Sequence, residues 1–329
     1  MTQHSHGGAP SAGTHAAASR LPSFADTSAL GADLRAELEA AGLDPEAQLR
    51  HIRVALEEDL PLDAALGAAA GLDTTSVATL GEAQTAVAHF NAREPGVVSG
   101  LGVAALVFAE VMGDTVTISH RVADGTRVAA GDRVMTVAGP VRGLLTAERT
   151  ALNFASHLSA VSTATSHWVD ALEGTKAKVL DTRKTLPGWR ALQKYAVRMG
   201  GGVNHRFSLS DMAMVKDNHV AAAGGHVPAL EAVRRTFPGL PVEVEVDTLD
   251  ALRDLLEVGV ERVLLDNMST DAMREAVEIA AGRTVLEASG GLTLERAREV
   301  AETGVDFISV GALTHSVVVF DLGLDLQED

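Results

Sequence analysis

VEVEVDTLDALRDLLEVGVERVLLDN (residues 242–267) contains a strand, a helix and a second strand in one short span. VEVEV alternates apolar and acidic residues, the period of a strand. LDALRDLLEVG then spaces its leucines at three to four residues, the period of a helix, and RVLLDN returns to an apolar run. The same alternation extends outward in both directions. AKVLDT, AMVKDN, TVLEAS and DFISVG are further short apolar runs, and GWRALQKYAVRMGG, PALEAVRRTF, DAMREAVEIAAG and TLERAREVAETG are helical segments between them. The last five strand centres fall near residues 215, 244, 265, 286 and 308, with most gaps about 21 or 22 residues, the length of one βα unit.

Six such units fit either an open doubly wound sheet or a barrel. The strand ends favour the barrel. Each closes on polar, reactive residues: Asp181 to Lys184, Lys216 to His219, Glu245 and Asp247, Asp266 and Asn267, Glu287 to Gly291, and Ser309 to Gly311. A βα barrel builds its site from all the C-terminal strand ends, whereas an open sheet concentrates it at one switch point.

Upstream, LRAELEAAGL and PEAQLRHIRVALEEDL read as helices, with Asp44-Pro45 as a helix start. SGLGVAALVFAEVMGD is a third helix among the strand-like QTAVAHFNA, DTVTISHRV and DRVMTVAG. TAERTALNFASHLSAVSTATSHWVDALEG reads as a long helix capped by Thr146. The expected organisation is a disordered tail over 1–31, a mixed α/β domain over 32–147, and connecting helices with the barrel over 148–313. The terminal segment 314–329 is expected to return to the first domain. His4, His6 and His15 in the tail read as decoration.

The chain of 329 residues has a net charge of −17 and no cysteine. That balance argues against nucleic-acid binding, which needs a basic face. Disulfides and thiolate zinc sites are excluded, and no apolar run reaches the roughly 20 residues of a membrane span. No secretory leader is legible, so a cytoplasmic location is expected.

One window opposes the acidity. Between Asp181 and His219 there are seven Lys or Arg against three acids. Arg190, Lys194 and Arg198 fall at helical spacing and read as a solvated face. Arg183 and Lys184 directly follow a strand, and His205 and Arg206 follow a permissive run of three glycines. With Lys216 they form a cationic wall suited to carboxylates or phosphates. Glu243, Glu245 and Asp247 share one side of their strand. Glu245 and Asp266 together could hold Mg²⁺, with buried ion pairs as the alternative. Ser289-Gly290-Gly291 and Val310-Gly311-Ala312 are glycine turns on the final strands, where barrels place a phosphate cup.

DTRKTLPGWRALQKYAVRMGGGVNHRFSLSDMAMVKDNH, followed by VEVEVD, LLDN, EASGG and SVGALTHS, closely resembles the quinolinate phosphoribosyltransferase family. EPGVVSGL and LTAERTALN extend the resemblance to roughly residues 45–325. The chain departs from the family's usual pattern at Leu186, often Thr, and Ser208, often Gly. The resemblance implies an N-terminal α/β sandwich domain and an incomplete α/β barrel of six or seven strands. It implies transfer of phosphoribosyl from phosphoribosyl pyrophosphate to quinolinate with decarboxylation, using Mg²⁺. It also implies a homodimer with shared sites and leaves open assembly into a hexamer of dimers. By matching position, Arg149 should reach the partner's quinolinate. Thr182, Arg183, His205, Arg206 and Lys216 should surround that substrate. Lys184, Glu245 and Asp266 should face ribose, pyrophosphate and metal as the catalytic set. Ser289, Gly290, Gly291, Val310, Gly311 and Ala312 should hold the 5′-phosphate. The rival readings are a nicotinate phosphoribosyltransferase, with one ring carboxylate to bind, and a non-catalytic barrel that binds a phosphate ligand. A biotinyl- or lipoyl-type carrier is disfavoured, because RVADGTRVAAGDRVMTVAGPVRG lacks the lysine to be modified.

Overall fold

The computed structural model describes residues 29–327. The tail histidines lie outside the described residues, and the first helix, α1 (Ala29–Ala40), begins inside the stretch assigned to the tail. In α2 (Pro45–Asp59) the Asp44 side chain accepts the Glu46 N–H at 3.0 Å, with Pro45 opening the helix. After the short α3 (Thr74–Thr79) come β1 (Thr85–Ala92), β2 (Gly96–Val97), α4 (Leu101–Met112), β3 (Thr117–Arg121), β4 (Arg127–Val128) and β5 (Arg133–Pro140).

The N-terminal sheet is antiparallel. Its spatial order places β1 and β5 inside, β3 at one edge and a C-terminal strand, β12 (Leu322–Leu326), at the other. The chain end thus returns to the first domain. Helix α4 is buried at every position. An amphipathic stripe is missing because the helix is covered on all sides, and Phe108 meets Phe90 of β1 edge-on at 5.8 Å.

Helix α5 (Val141–Ala171) links the two domains. It starts five residues before the expected cap: Thr146 is already helical, and its hydroxyl donates to the Arg142 carbonyl at 2.8 Å. Gly143 obscured that start. A Cβ there would lie 2.7 Å from Met112 Cγ, so the glycine marks close packing against α4 and not a loop.

The second half follows as β6 (Lys178–Leu180), α6 (Arg190–Met199), β7 (Ala213–Val215), α7 (Asp217–Ala223), α8 (His226–Thr236), β8 (Val242–Val246), α9 (Leu249–Glu257), β9 (Arg262–Asp266), α10 (Thr270–Ala280), β10 (Val285–Ser289), α11 (Leu294–Ala301), β11 (Phe307–Ser309) and α12 (Ala312–His315). The six strands are parallel, in the order β6-β11-β10-β9-β8-β7. The first strand pairs with the last, which a barrel requires and a doubly wound sheet does not.

The barrel is open between β6 and β7. A remnant strand at Val203 partly fills the gap: its N–H donates to Val179 O at 2.8 Å, and it accepts the Asp181 N–H at 3.2 Å. Across the opening, the Arg206 guanidinium donates to the Met212 carbonyl at 3.0 Å. Helix α6 covers this side, and it corrects the sequence reading. Lys194 is fully buried and paired with Asp181, Arg198 donates to Asn204 and to the Ala41 carbonyl, and Arg190 donates to Thr185 and the Phe207 carbonyl. These three cations are anchors of the barrel wall.

Candidate active site

The loop after β6 presents Arg183 and Lys184. Thr182 shapes it, because its hydroxyl accepts the Lys184 N–H at 3.0 Å. Arg183 Nε is buried and has no hydrogen-bond partner among the described residues. Burial, and then the nearby Arg183 charge, push the Arg206 guanidinium down from its ordinary value. Glu243 and Asp211 pull the other way without restoring it, so a further anion beside the two guanidiniums would be favourable.

His205 lies deeper. Its Nε2 is 2.9 Å from Glu243 and 3.4 Å from Glu287, and Arg262 bridges both glutamates. Burial works against charge on the ring, but hydrogen bonds and charges of the two carboxylates outweigh it and raise His205 to about 9. The Arg206 N–H faces Nδ1 at 2.7 Å, a contact open only to the neutral ring. Charge balance decides between the forms: two buried carboxylates against one guanidinium retain a further proton. Glu243, His205 and Glu287 offer donor atoms within 4.8 Å of one another, as a metal site would, but the Arg262 guanidinium already takes the cation's place.

The three acids of β8 and its end thus divide by depth. Glu243 is part of the barrel floor, Glu245 stands higher with its carboxylate 2.6 Å from Lys216 Nζ, and Asp247 is exposed beyond the strand. Asp266 ends β9 and accepts from Asn267 Nδ2 at 2.8 Å. Glu245 and Asp266 both project from the inner side of adjacent parallel strands. Two hard carboxylate oxygens suit Mg²⁺, which keeps several waters and shares substrate phosphates.

The glycine turns are shaped by contact. Gly290 has φ +94° and Gly291 φ +59°, both in the left-handed region. A Cβ on Gly290 would lie 2.3 Å from Asn267 Oδ1 and 2.9 Å from its backbone nitrogen, so only glycine fits. At Gly311, between Val310 and Ala312, a Cβ would stand 2.9 Å from Lys184 Cδ. Lys184 therefore lies across the second glycine turn, which joins the cationic wall to the cup. His315 Nε2 would be 3.2 Å from the same point. Sequence reading passed over His315, and its position directly after the GALT turn was the available signal.

Arg149 does not join this group. It is exposed on α5 and makes no hydrogen bond or ion pair among the described residues. Gln193, also unremarked in the sequence, is fully buried behind the site.

Known proteins resemble this chain over both of its halves. The profile of the quinolinate phosphoribosyl transferase N-terminal domain matches residues 73–159, and that of the C-terminal domain matches residues 161–325. A nicotinate-nucleotide pyrophosphorylase (carboxylating) of Mycobacterium leprae is 53% identical over 279 residues, covering 84% of this chain and 95% of its own. A probable nicotinate-nucleotide pyrophosphorylase (carboxylating) of Bacillus subtilis is 38% identical over 255 residues, covering 77% and 88%. The solved nicotinate-nucleotide pyrophosphorylase of Francisella tularensis superposes with a TM-score of 0.80 at 38% identity, covering 86% of this chain and 96% of that one.

Proposed function

The chain belongs to the quinolinate phosphoribosyl transferase family, and from that premise we propose how its residues divide the work. The protein transfers phosphoribosyl from phosphoribosyl pyrophosphate to quinolinate, giving nicotinate mononucleotide, CO₂ and pyrophosphate. The observation that carries the assignment of roles is the Arg183–Arg206 pair, with a buried Arg183 Nε awaiting an acceptor.

Arg183, Arg206 and Lys216 bind the two ring carboxylates and fix the orientation of the pyridine. Its nitrogen then faces C1 of the ribose. Lys184, lying across Gly311, takes the phosphate charge on the other side of that carbon. The turns at Ser289–Gly291 and Val310–Ala312 hold the 5′-phosphate. Glu245 and Asp266 stabilise positive charge developing on the ribose and would hold Mg²⁺, which supplies electrostatic neutralisation of the leaving pyrophosphate when bound. Attack by the nitrogen places positive charge on the ring. The adjacent carboxylate departs as CO₂, its bonding pair remains on the ring carbon beside that charge, and a proton from solvent completes the product.

Arg149 has no hydrogen-bond or ion-pair partner among the described residues, which supports a homodimer in which it completes the partner's site. The absence of cysteine supports a cytoplasmic location, and among the described residues no helix is long and apolar enough to cross a membrane. The test is to supply purified protein with phosphoribosyl pyrophosphate, Mg²⁺ and equimolar quinolinate and nicotinate, measuring CO₂ and mononucleotide. Turnover of quinolinate is expected. Turnover of nicotinate alone would retain the transfer and overturn the dicarboxylate pocket.

A further inference from the structure

Two consecutive residues of α6, Gln193 and Lys194, have no exposed surface. Each is bound to a different loop of the site.

Lys194 pairs with Asp181, and both side chains are fully buried. Burial pushes the Asp181 carboxyl up and the Lys194 ammonium down, with their mutual attraction opposing both shifts. An ion pair in such a place is a poor means of stabilising a fold. It does supply one donor and one acceptor at fixed positions, and the backbone of His205 uses both. The His205 N–H donates to Asp181 at 2.8 Å, and its carbonyl accepts from Lys194 Nζ at 3.0 Å. Asn204 adds a bond to Asp181 at 2.6 Å and one to the Lys194 carbonyl at 2.8 Å. These groups need partners because the chain has left the β6 edge at Val203. The ion pair thus replaces a strand ladder and fixes the peptide from which Arg206 extends.

Gln193 serves the other loop. Its Oε1 accepts the Leu186 N–H at 2.9 Å, and its Nε2 donates to the Thr314 carbonyl at 2.7 Å and faces His157 Nε2 at 2.9 Å. Thr314 in turn donates its hydroxyl to the Lys184 carbonyl at 2.7 Å. The Arg183–Lys184 loop is therefore tied to the Gly311 turn through one amide.

We infer that Lys194, with Asp181, is a positioning residue for the quinolinate subsite, and that Gln193 is one for the phosphate subsite beneath Lys184. The inference rests on the proposed division of the site. Full-length Lys194→Met, Gln193→Leu and wild type are compared by steady-state kinetics in both substrates, by calorimetric binding of quinolinate alone, and by thermal unfolding. Lys194→Met should weaken quinolinate, in KM and in direct binding, by about tenfold or more, the scale of a lost charge-assisted bond, and leave KM for phosphoribosyl pyrophosphate within about threefold. Gln193→Leu should reverse that pattern. Asn204→Ala, a milder change on the same loop, replaces Lys194→Met if the latter does not fold and should show the same selectivity. Equal losses for both substrates, or a lowered Tm with unchanged binding, would reduce the pair to structural supports and overturn the inference. A wild-type protein that neither binds nor turns over quinolinate would instead overturn the reading on which it rests.

Discussion

Arg206 shows what a single side chain contributes, because burial and its neighbour Arg183 hold its guanidinium below the ordinary value although Glu243 and Asp211 pull the other way. Replacing Arg206 by Ala removes a charge-assisted contact, so quinolinate affinity should fall by about 10- to 100-fold. Calorimetry with quinolinate alone measures this, and unchanged affinity would refute the carboxylate assignment. His205 carries a pH signature instead. Its folded pKa of about 9 exceeds the ordinary value of 6.5, so the native state holds the proton more tightly. The resulting stability is complete below about pH 6.5 and is lost as pH rises through about 9. Thermal unfolding across that window should show a steeper fall for wild type than for His205→Gln, and parallel curves would place the proton elsewhere. Residue-scale legibility was uneven. The places of Arg183, Lys216 and Glu245 at strand ends were readable because each follows or closes a short apolar run. Lys194 was not, because periodicity assigns a helix its apolar face only when the other face is wet. Here Leu192 to Val197 are all buried, so a lysine at helical spacing carried no sign of its depth.

Among elements, the strands of the barrel were legible to within a few residues because each is an apolar run bounded by polar ends. The boundary that failed did so where a glycine served packing: Gly143 concealed the start of α5. The Gly200–Gly202 run is the permissive loop that the sequence suggests, with Gly201 at φ +89°, and it serves packing as well. Cβ atoms at Gly200 and Gly202 would approach Ser162 O to 2.4 Å and Val197 Cγ1 to 2.7 Å, so these glycines let the chain pass close beneath α5 and α6. In the turn after β10, Gly290 has both reasons, left-handed backbone and no room. Gly290→Ala should therefore cost about 1–3 kcal/mol of stability. It should raise KM for phosphoribosyl pyrophosphate while leaving binding of quinolinate alone near the wild-type value. A scan of Tm alongside both kinetic constants checks it, and an Ala variant with normal stability would mean that Asn267 can move aside.

At the scale of the whole molecule, the chain leaves one expected site residue stranded. Charge, spacing and strand ends could locate a barrel and its contents, but none of them encodes a second subunit. Arg149 looks like an ordinary surface residue of a long helix both in the sequence and in the single chain, where it is exposed. If it completes the partner's site, the defect of Arg149→Ala and that of Arg206→Ala reside in different subunits of each shared site. Each variant alone should be nearly inactive. Mixed under conditions that exchange subunits, half the dimers become hybrids with one site intact, so about a quarter of wild-type activity should return. Native mass spectrometry confirms the hybrids independently of turnover. Activity that fails to return while hybrids are present would mean that Arg149 acts within its own subunit or outside the site, and the shared-site dimer would have to be abandoned.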